Sequence, residues 1–147
     1  LVDKRLWKKV TFKKRFKIIQ ACIHKDSDKV IRVRIQDKKG FLTIKGKPQG
    51  IIRDEYEYKI PYKDAKELIL KFSNKTIEKY RYIVYFEKKK WEIDVFQGLN
   101  KGLIIAEIEV KSADESFTKP DWILEDVSLD SRYHNSNLVS NPYTKWE

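Results

Sequence analysis

The chain has 147 residues, of which 41% are hydrophobic and 13% aromatic, so it is long enough for one domain with a core and is not a disordered segment. Lysine and arginine outnumber aspartate and glutamate by 32 to 22. The resulting charge of +10 predicts an anionic partner, which could be a nucleic acid, an acidic lipid or a phosphorylated small molecule. A lysine-rich surface without a specific partner is the alternative.

The single cysteine and the hydropathy pattern restrict the cellular compartment in which we expect the protein. Cys22 has no second cysteine to pair with, so we predict a reducing compartment, the cytoplasm. Its hydrophobic neighbours predict that the thiol is buried in the core. No run approaches 18 consecutive hydrophobic residues, which argues against a membrane span. Because methionine is absent, we also expect a further N-terminal piece before Leu1.

Hydrophobic and polar residues alternate in seven segments, which predicts strands. In chain order these segments are 15–24, 29–36, 40–47, 51–60, 76–87, 90–97 and 102–111. The turn "DKKG" should place Gly40 at a positive φ, and lysines 88–90 should form a hairpin turn. The short connections indicate antiparallel pairing in a sandwich, an open sheet or a closed barrel.

Helices are predicted at three places. Asp3 is suited to cap a short helix that runs through Trp7. Residues 61–72 form a longer helix, in which Pro61 lies in the first turn. The apolar stripe of this helix should dock on the sheet; its members are Ala65, Leu68, Ile69 and Phe72. The residues after 112 should form turns and one short closing helix.

One face of the predicted strands is charged, and the charges are grouped by sign. The cations are Arg32, Arg34, Lys45, Arg53, Lys79 and Arg81. The acids are Glu55, Glu57, Asp94, Glu107 and Glu109. An amphipathic sheet with its polar face in water is the ordinary alternative, but such faces usually mix threonine, serine, glutamine and lysine. The grouping therefore favours a ligand that is both polyanionic and metal-bound.

The chemistry of these side chains fits such a ligand. Arginine offers two-pronged hydrogen bonds to phosphate, and lysine a point charge. Carboxylates are hard oxygen ligands suited to Mg²⁺ or Mn²⁺. Residues i and i+2 of a strand lie about 6–7 Å apart on one face, so Glu107 and Glu109 could flank an ion. A barrel closed around the charged faces would leave its aliphatic faces outward, where the helix at 61–72 could cover them.

The order of several motifs resembles one known family. The motifs are "VIRVRI", "FLTIKG", "RDEYEYKIP", "IEKYRYIVYFE", "WEIDVFQG", "LIIAEIEVKSADESFTKPDW" and "SRYHNSNL". Together they are similar to the CYTH domain, also called the triphosphate tunnel metalloenzymes, and above all to short bacterial single-domain members. The similarity covers nearly the whole chain, so residues 1–147 should form one such domain.

The resemblance implies an eight-stranded antiparallel β-barrel that forms a charged tunnel, with helices packed outside. It implies metal-dependent hydrolysis of a triphosphate, above all inorganic tripolyphosphate. The implied substrate ligands are Arg32, Arg34, Lys45, Arg53, Lys79 and Arg81. The implied catalytic residues are Glu55, Glu57 and Lys79, and Mg²⁺ or Mn²⁺ would be held by Asp94, Glu107 and Glu109. The family's opening ExExK strand has no counterpart here, and we expect it in the N-terminal piece.

Other functions are left open by the sequence. A class IV adenylate cyclase would also need a base pocket, for which Tyr56, Tyr58 or Tyr82 could serve, and a thiamine triphosphatase is a further alternative. A module that binds polyphosphate or nucleic acid without turnover is suggested by "KKVTFKKRFK" at 8–17. We interpret that run as a solvated face, so neither a nucleic acid nor a membrane is an expected partner. A homodimer is left open.

Overall fold

The computed structural model describes residues 1–49, 52–73, 75–108 and 115–146. Within these residues the fold is mainly β, with seven antiparallel strands and a few helices. The described residues group into two compact units. One, the first-half unit, is Lys17–Glu78; the other, the second-half unit, comprises Leu1–Phe16 and Lys79–Glu147.

All seven predicted strands form. They are β1 (Lys14–Lys25), β2 (Lys29–Gln36), β3 (Lys39–Gly46), β4 (Glu55–Ile60), β5 (Ile77–Phe86), β6 (Lys89–Phe96) and β7 (Ile104–Ile108). The helices are α1 (Lys4–Trp7), α2 (Tyr62–Phe72) and α3 (Asn135–Ser140), with 3₁₀ turns at Gly98–Asn100, Ser131–Tyr133 and Tyr143–Lys145. Strand β4 begins later than predicted, so Arg53 precedes it.

The strands of the first-half unit run in the order β4-β3-β2-β1, with each neighbour antiparallel. Helix α2 packs on the aliphatic face of this sheet, where Val33, Ile35 and Ala65 are buried together. Leu68 and Ile69 pack against the same cluster, as the stripe predicted. Phe72 does not, because its side chain is 60% exposed in the last turn of the helix.

The turn between β2 and β3 differs from the prediction. Asp37, not Gly40, has the positive φ, at 54°. Gly40 lies inside β3, and its lack of a side chain has another reason. A Cβ at this position would lie only 2.8 Å from the Cβ of Ala65. Glycine is therefore needed for the close approach of α2 to the sheet.

The second-half unit contains β5-β6-β7 and a core that includes Val84, Trp91, Ile93 and Trp122. Helix α1 is capped as predicted, because the side chain of Asp3 accepts hydrogen bonds from the first turn. In the hairpin between β5 and β6, the residues with positive φ are Glu87 and Lys88. Lysines 89 and 90 belong to β6, so the predicted hairpin is present but its turn lies earlier.

Two further predictions from the sequence were the burial of Cys22 and a closed barrel. Cys22 is exposed and not in the core, because it lies opposite Arg32 on the polar side of the β1–β2 pair. The closed eight-stranded barrel stays a prediction, since seven strands are described. Among the residues that the structure describes, no helix is long and apolar enough to span a membrane.

Candidate functional site

The first-half unit places the predicted arginines on the polar face of its sheet. Residues directly opposite in an antiparallel pair share a face, and Thr43 lies opposite both Arg32 and Glu57. Arg32 Nη2 donates a long hydrogen bond of 3.5 Å to Thr43 Oγ1, which in turn donates to Glu57 Oε1 at 3.1 Å. Thr43 is completely buried. A buried hydroxyl thus connects a cation to a carboxylate across three strands.

Arg34 is held by a neutral partner. Its Nε and Nη2 both donate to Gln20 Oε1, each at 3.3 Å. Gln20 is only 5% exposed, so its carbonyl oxygen is a fixed acceptor on the polar face. An amide orients a guanidinium without cancelling its charge. The positive charge of Arg34 is therefore not neutralised by this contact.

Lys45 shows how closely the cations of this unit are grouped. Burial lowers the pKa of the Lys45 ammonium, and the positive charge of Arg32 lowers it further. Glu55, which lies opposite Lys45 in the register of β3 and β4, acts in the other direction. Arg53 adds a further positive charge from the loop before β4, where its Nε donates to Gly46 O at 2.6 Å. A bound anion would relieve this repulsion.

The second-half unit holds a different kind of cluster, centred on Asp94. Lys79 Nζ and Arg81 Nε lie 2.8 Å from the two carboxylate oxygens, and Arg81 Nη2 donates a second bond at 3.0 Å. Lys79 is 1% exposed and Asp94 3%. Burial acts to raise the pKa of Asp94, but the hydrogen bond from Arg81 and the charge of Lys79 outweigh it and lower the pKa. Asp94 is thus ionised.

Arg81 also pairs with Glu92, at 2.8 Å between Nη1 and Oε2. Burial acts to lower the pKa of Arg81, but the hydrogen bond with Asp94 and the surrounding acids raise it. Arg81 is thus surrounded by carboxylates, whereas Arg34 is held by an amide. The described contacts of the two arginines therefore differ in charge, since Gln20 is a neutral acceptor and Asp94 and Glu92 are acidic ones.

The carboxylates of β6 and β7 are the candidate metal ligands. Glu107 lies opposite Glu92 in the register, on the face that also carries Asp94. It is exposed, and it lines a cavity of about 700 Å³ together with His134 and Asp126. Glu109 lies outside the described residues. Within the described ranges, no group of three or more potential ligands is close enough to hold a metal ion.

Most predicted site residues are thus found in two groups. The first-half unit holds Arg32, Arg34, Lys45, Arg53, Glu55 and Glu57; the second-half unit holds Lys79, Arg81, Asp94 and Glu107. The roles of these residues stay predictions. Sequence reasoning missed Gln20, a buried polar residue in the alternation of β1. The available signal was its place between the hydrophobic residues Ile19 and Ala21, in the same alternating series as His24.

The chain is of a class in which antiparallel strands carry charged side chains on one face and a helix packs on the opposite face, as α2 does in the first-half sheet. The chain belongs to the CYTH domain family, whose model matches residues 24–139. A relative from Acetivibrio thermocellus, described as an inorganic triphosphatase, is 50% identical over 129 residues, covering 87% of this chain and 83% of the relative. An inorganic triphosphatase from Nitrosomonas europaea is 33% identical over 112 residues, covering 74% of each chain.

A solved structure agrees with these relatives. A crystal structure described as that of an inorganic triphosphatase matches with a TM-score of 0.68 and 29% identity, covering 88% of this chain and 91% of that one.

Proposed function

We propose that the chain hydrolyses inorganic triphosphate with the help of Mg²⁺ or Mn²⁺. Water would add across one phosphoanhydride bond, so that triphosphate and water yield diphosphate and phosphate. The observation that carries this proposal is the arginine pair of β2, of which Arg34 is oriented by a buried neutral amide. Two relatives described as inorganic triphosphatases support the choice of substrate.

The substrate would be bound first by the cations of the first-half unit. Arg32 and Arg34 offer paired N–H donors to phosphate oxygens, and Lys45 adds a point charge beside them. The lowered pKa of Lys45 reflects burial and neighbouring cations, and both effects would be offset by a bound polyanion. We propose that Arg53, Lys79 and Arg81 complete the set of phosphate ligands in the eight-stranded tunnel that the family implies.

The metal would be held by carboxylates of β6, of β7 and of Glu109, which is the next residue after β7 in the sequence. The donor chemistry fits a hard divalent cation, because Glu107 and its register partner Glu92 are carboxylates on one face. We propose Glu107, Glu109 and Asp94 as the ligands. Asp94 would have to exchange one of its contacts with Lys79 or Arg81 for the metal. When bound, the ion neutralises charge on the phosphoryl oxygens.

The remaining residues would orient the reacting groups. We propose that Glu57 accepts the proton of the attacking water at Oε2, because its Oε1 is already fixed by the hydroxyl of Thr43. Glu55 would hold the same water from the next same-face position of β4. Lys79, with three N–H donors, would contact the transferred phosphoryl group while it still pairs with Asp94.

Product analysis tests this proposal directly. The full-length protein, with the N-terminal piece that we expect before Leu1, is incubated with tripolyphosphate, ATP or thiamine triphosphate, with Mg²⁺, with Mn²⁺ or with a chelator. Metal-dependent release of phosphate from tripolyphosphate, faster than from the other two, is the expected result. Cyclic AMP from ATP would point to a cyclase, and binding without turnover to a binding module.

A pair of variants links the activity to the site. Arg34→Ala should raise the KM for tripolyphosphate by roughly tenfold to 100-fold, because a charge-assisted contact is lost. Lys63→Ala removes one exposed positive charge from α2 and should leave the kinetics unchanged. Equal effects of the two substitutions would show that only net charge matters and would contradict the proposed site.

A further inference from the structure

The excess positive charge of the chain is concentrated in one short stretch. Residues 4–15, here called the basic segment, contain seven of the 32 cations and none of the 22 acids, which leaves 25 cations against 22 acids elsewhere. The seven cations are Lys4, Arg5, Lys8, Lys9, Lys13, Lys14 and Arg15. All seven side chains are exposed, and within the described part of the chain none forms a salt bridge.

The backbone of the basic segment is fixed to its unit. Trp7 packs edge-on against Tyr82 and Trp122, with ring centroids 5.1 and 6.2 Å apart. Val10 also packs against the core, and Lys13 N donates to Ile83 O at 2.9 Å. The cations are therefore presented on an ordered surface. Like charges held close together repel one another, which an anionic partner would relieve.

Aromatic rings hold two of these cations in place. The Arg15 guanidinium lies 5.1 Å from the ring centroid of Tyr80, and Lys13 Nζ lies 5.1 Å from that of Tyr85. Phe12 packs edge-on against Tyr82 at 4.8 Å. Rings engaged in this way are poorer stacking platforms for nucleotide bases than bare rings would be. These contacts favour a partner that offers phosphates and no bases.

The apolar residues of helix α1 give no support for a lipid surface. Leu6 and Trp7 of α1 pack into the core of the second-half unit, so the helix has no apolar face left to enter a bilayer. We propose that the basic segment is a docking surface for inorganic polyphosphate chains longer than tripolyphosphate. This inference rests on the proposed function, because it extends the substrate class from the short phosphoanhydride to its polymer.

The test compares two triple variants that lose the same charge. Lys8→Ala, Lys9→Ala and Lys14→Ala remove three cations of the basic segment. Lys63→Ala, Lys71→Ala and Lys75→Ala remove three exposed cations from α2 and the residues after it. Binding of a polyphosphate of about 100 phosphates is measured by fluorescence anisotropy at several salt concentrations. The basic-segment variant should bind roughly 10- to 100-fold more weakly at low salt with a shallower salt dependence, and the α2 variant within twofold of wild type.

Each outcome decides the inference. Equal weakening by both triples would attribute binding to net charge alone, and no weakening by either would exclude the basic segment; both results overturn the proposal. If poly(U) binds as tightly as polyphosphate and loses as much affinity, the partner is a nucleic acid and the proposal is wrong. Tripolyphosphate turnover is measured separately and should stay within about threefold of wild type. A chain that binds polyphosphate through this segment without hydrolysing tripolyphosphate would contradict the proposed function alone.

Discussion

Two arginines of this chain are held in opposite ways, and the difference lies in one functional group. Arg34 donates to the amide oxygen of Gln20, whereas Arg81 donates to the carboxylate of Asp94. Both acceptors are buried. The amide of Gln20 adds no negative charge beside its guanidinium, whereas the carboxylate of Asp94 does. We therefore expect the first-half unit to contribute most of the affinity for a polyanion.

Gln20→Glu tests the importance of a neutral acceptor. Glutamate has nearly the same size and can still accept from Arg34, but it adds a negative charge beside the proposed phosphate ligand. We expect the KM for tripolyphosphate to rise about tenfold, about 1.4 kcal/mol, while kcat changes little. Steady-state kinetics measure both constants. Gln20→Leu, which removes the acceptor without adding charge, should raise KM less; an equal or larger rise would indicate that the hydrogen bond to Arg34 matters and the neutrality of Gln20 does not.

Asp94 is expected to govern the acid stability of the second-half unit. Its pKa is lowered in the folded chain, so its stabilising contribution is present above the unfolded pKa of about 3.9 and is lost as the pH falls through the folded value. Asp94→Asn should cost roughly 3–5 kcal/mol at neutral pH, because it removes the buried ion pairs that Asp94 makes with Lys79 and Arg81. Urea unfolding at pH 7 and pH 3 measures both effects. If the cost at pH 3 equals that at pH 7, Asp94 is not stabilised by its charge.

Glu107 is the described residue of β7 that we propose as a metal ligand. Glu107→Gln keeps the shape and removes one negative charge, so we expect weaker Mn²⁺ binding and a fall in turnover of at least about 100-fold, about 2.7 kcal/mol. Titration calorimetry measures the first effect and phosphate release the second. Glu67→Gln removes the same charge from an exposed position of α2 and serves as the control. Near-normal metal-dependent rates in Glu107→Gln would exclude this residue from the metal site.

At the scale of elements, the alternation of residues predicted the strands well and their ends poorly. Each strand buries one face, so alternate hydrophobic residues mark it, as Ile31, Val33 and Ile35 do in β2. The ends and turns depend on contacts that are distant in sequence. Gly40 looked like a turn residue, yet it is required by Ala65, which is 25 positions away. No local pattern could have revealed that contact.

In the candidate site, too, local sequence patterns predicted some features, while others depend on contacts that are distant in sequence. The charged residues were visible in the sequence because they share one face of each strand, and that face could be assigned without a structure. Their partners could not be assigned, since register decides which residues lie opposite one another. The pairing of Arg34 with Gln20 requires β1 and β2 to align as they do, and the pairing of Arg81 with Asp94 requires the register of β5 and β6.

The packing of α2 on β3 gives a prediction at this scale. Gly40→Ala should destabilise the chain by roughly 1–3 kcal/mol, because the new methyl group would meet Ala65 Cβ and the backbone oxygen of Ile60. Ala65→Gly should restore part of the loss in the double variant, since it removes the group that the new methyl meets. Denaturant unfolding of the four proteins of this cycle measures the coupling. Additive effects of the two substitutions would show that the close approach is not limiting.

At the scale of the whole molecule, the proposed ligand should act as a stabiliser even without metal. A ligand that binds only the folded chain stabilises it by an amount that grows with its concentration, about 2.7 kcal/mol at 100 times Kd. Tripolyphosphate with a chelator present should therefore raise the Tm of the wild-type chain. Combining Arg32→Ala and Arg34→Ala should leave the fold intact and abolish most of this rise.

A matched control separates site binding from general charge effects. Removing Lys63 and Lys71 of α2 lowers the net charge by the same two units, and this variant should keep the tripolyphosphate-induced rise in Tm. Far-UV circular dichroism of both double variants checks that they are folded. If the arginine variant keeps the whole rise while the lysine variant loses it, the polyanion binds outside the arginine pair. The first-half unit would then not be the principal phosphate-binding surface, and the neutral acceptor that Gln20 offers to Arg34 would need another explanation.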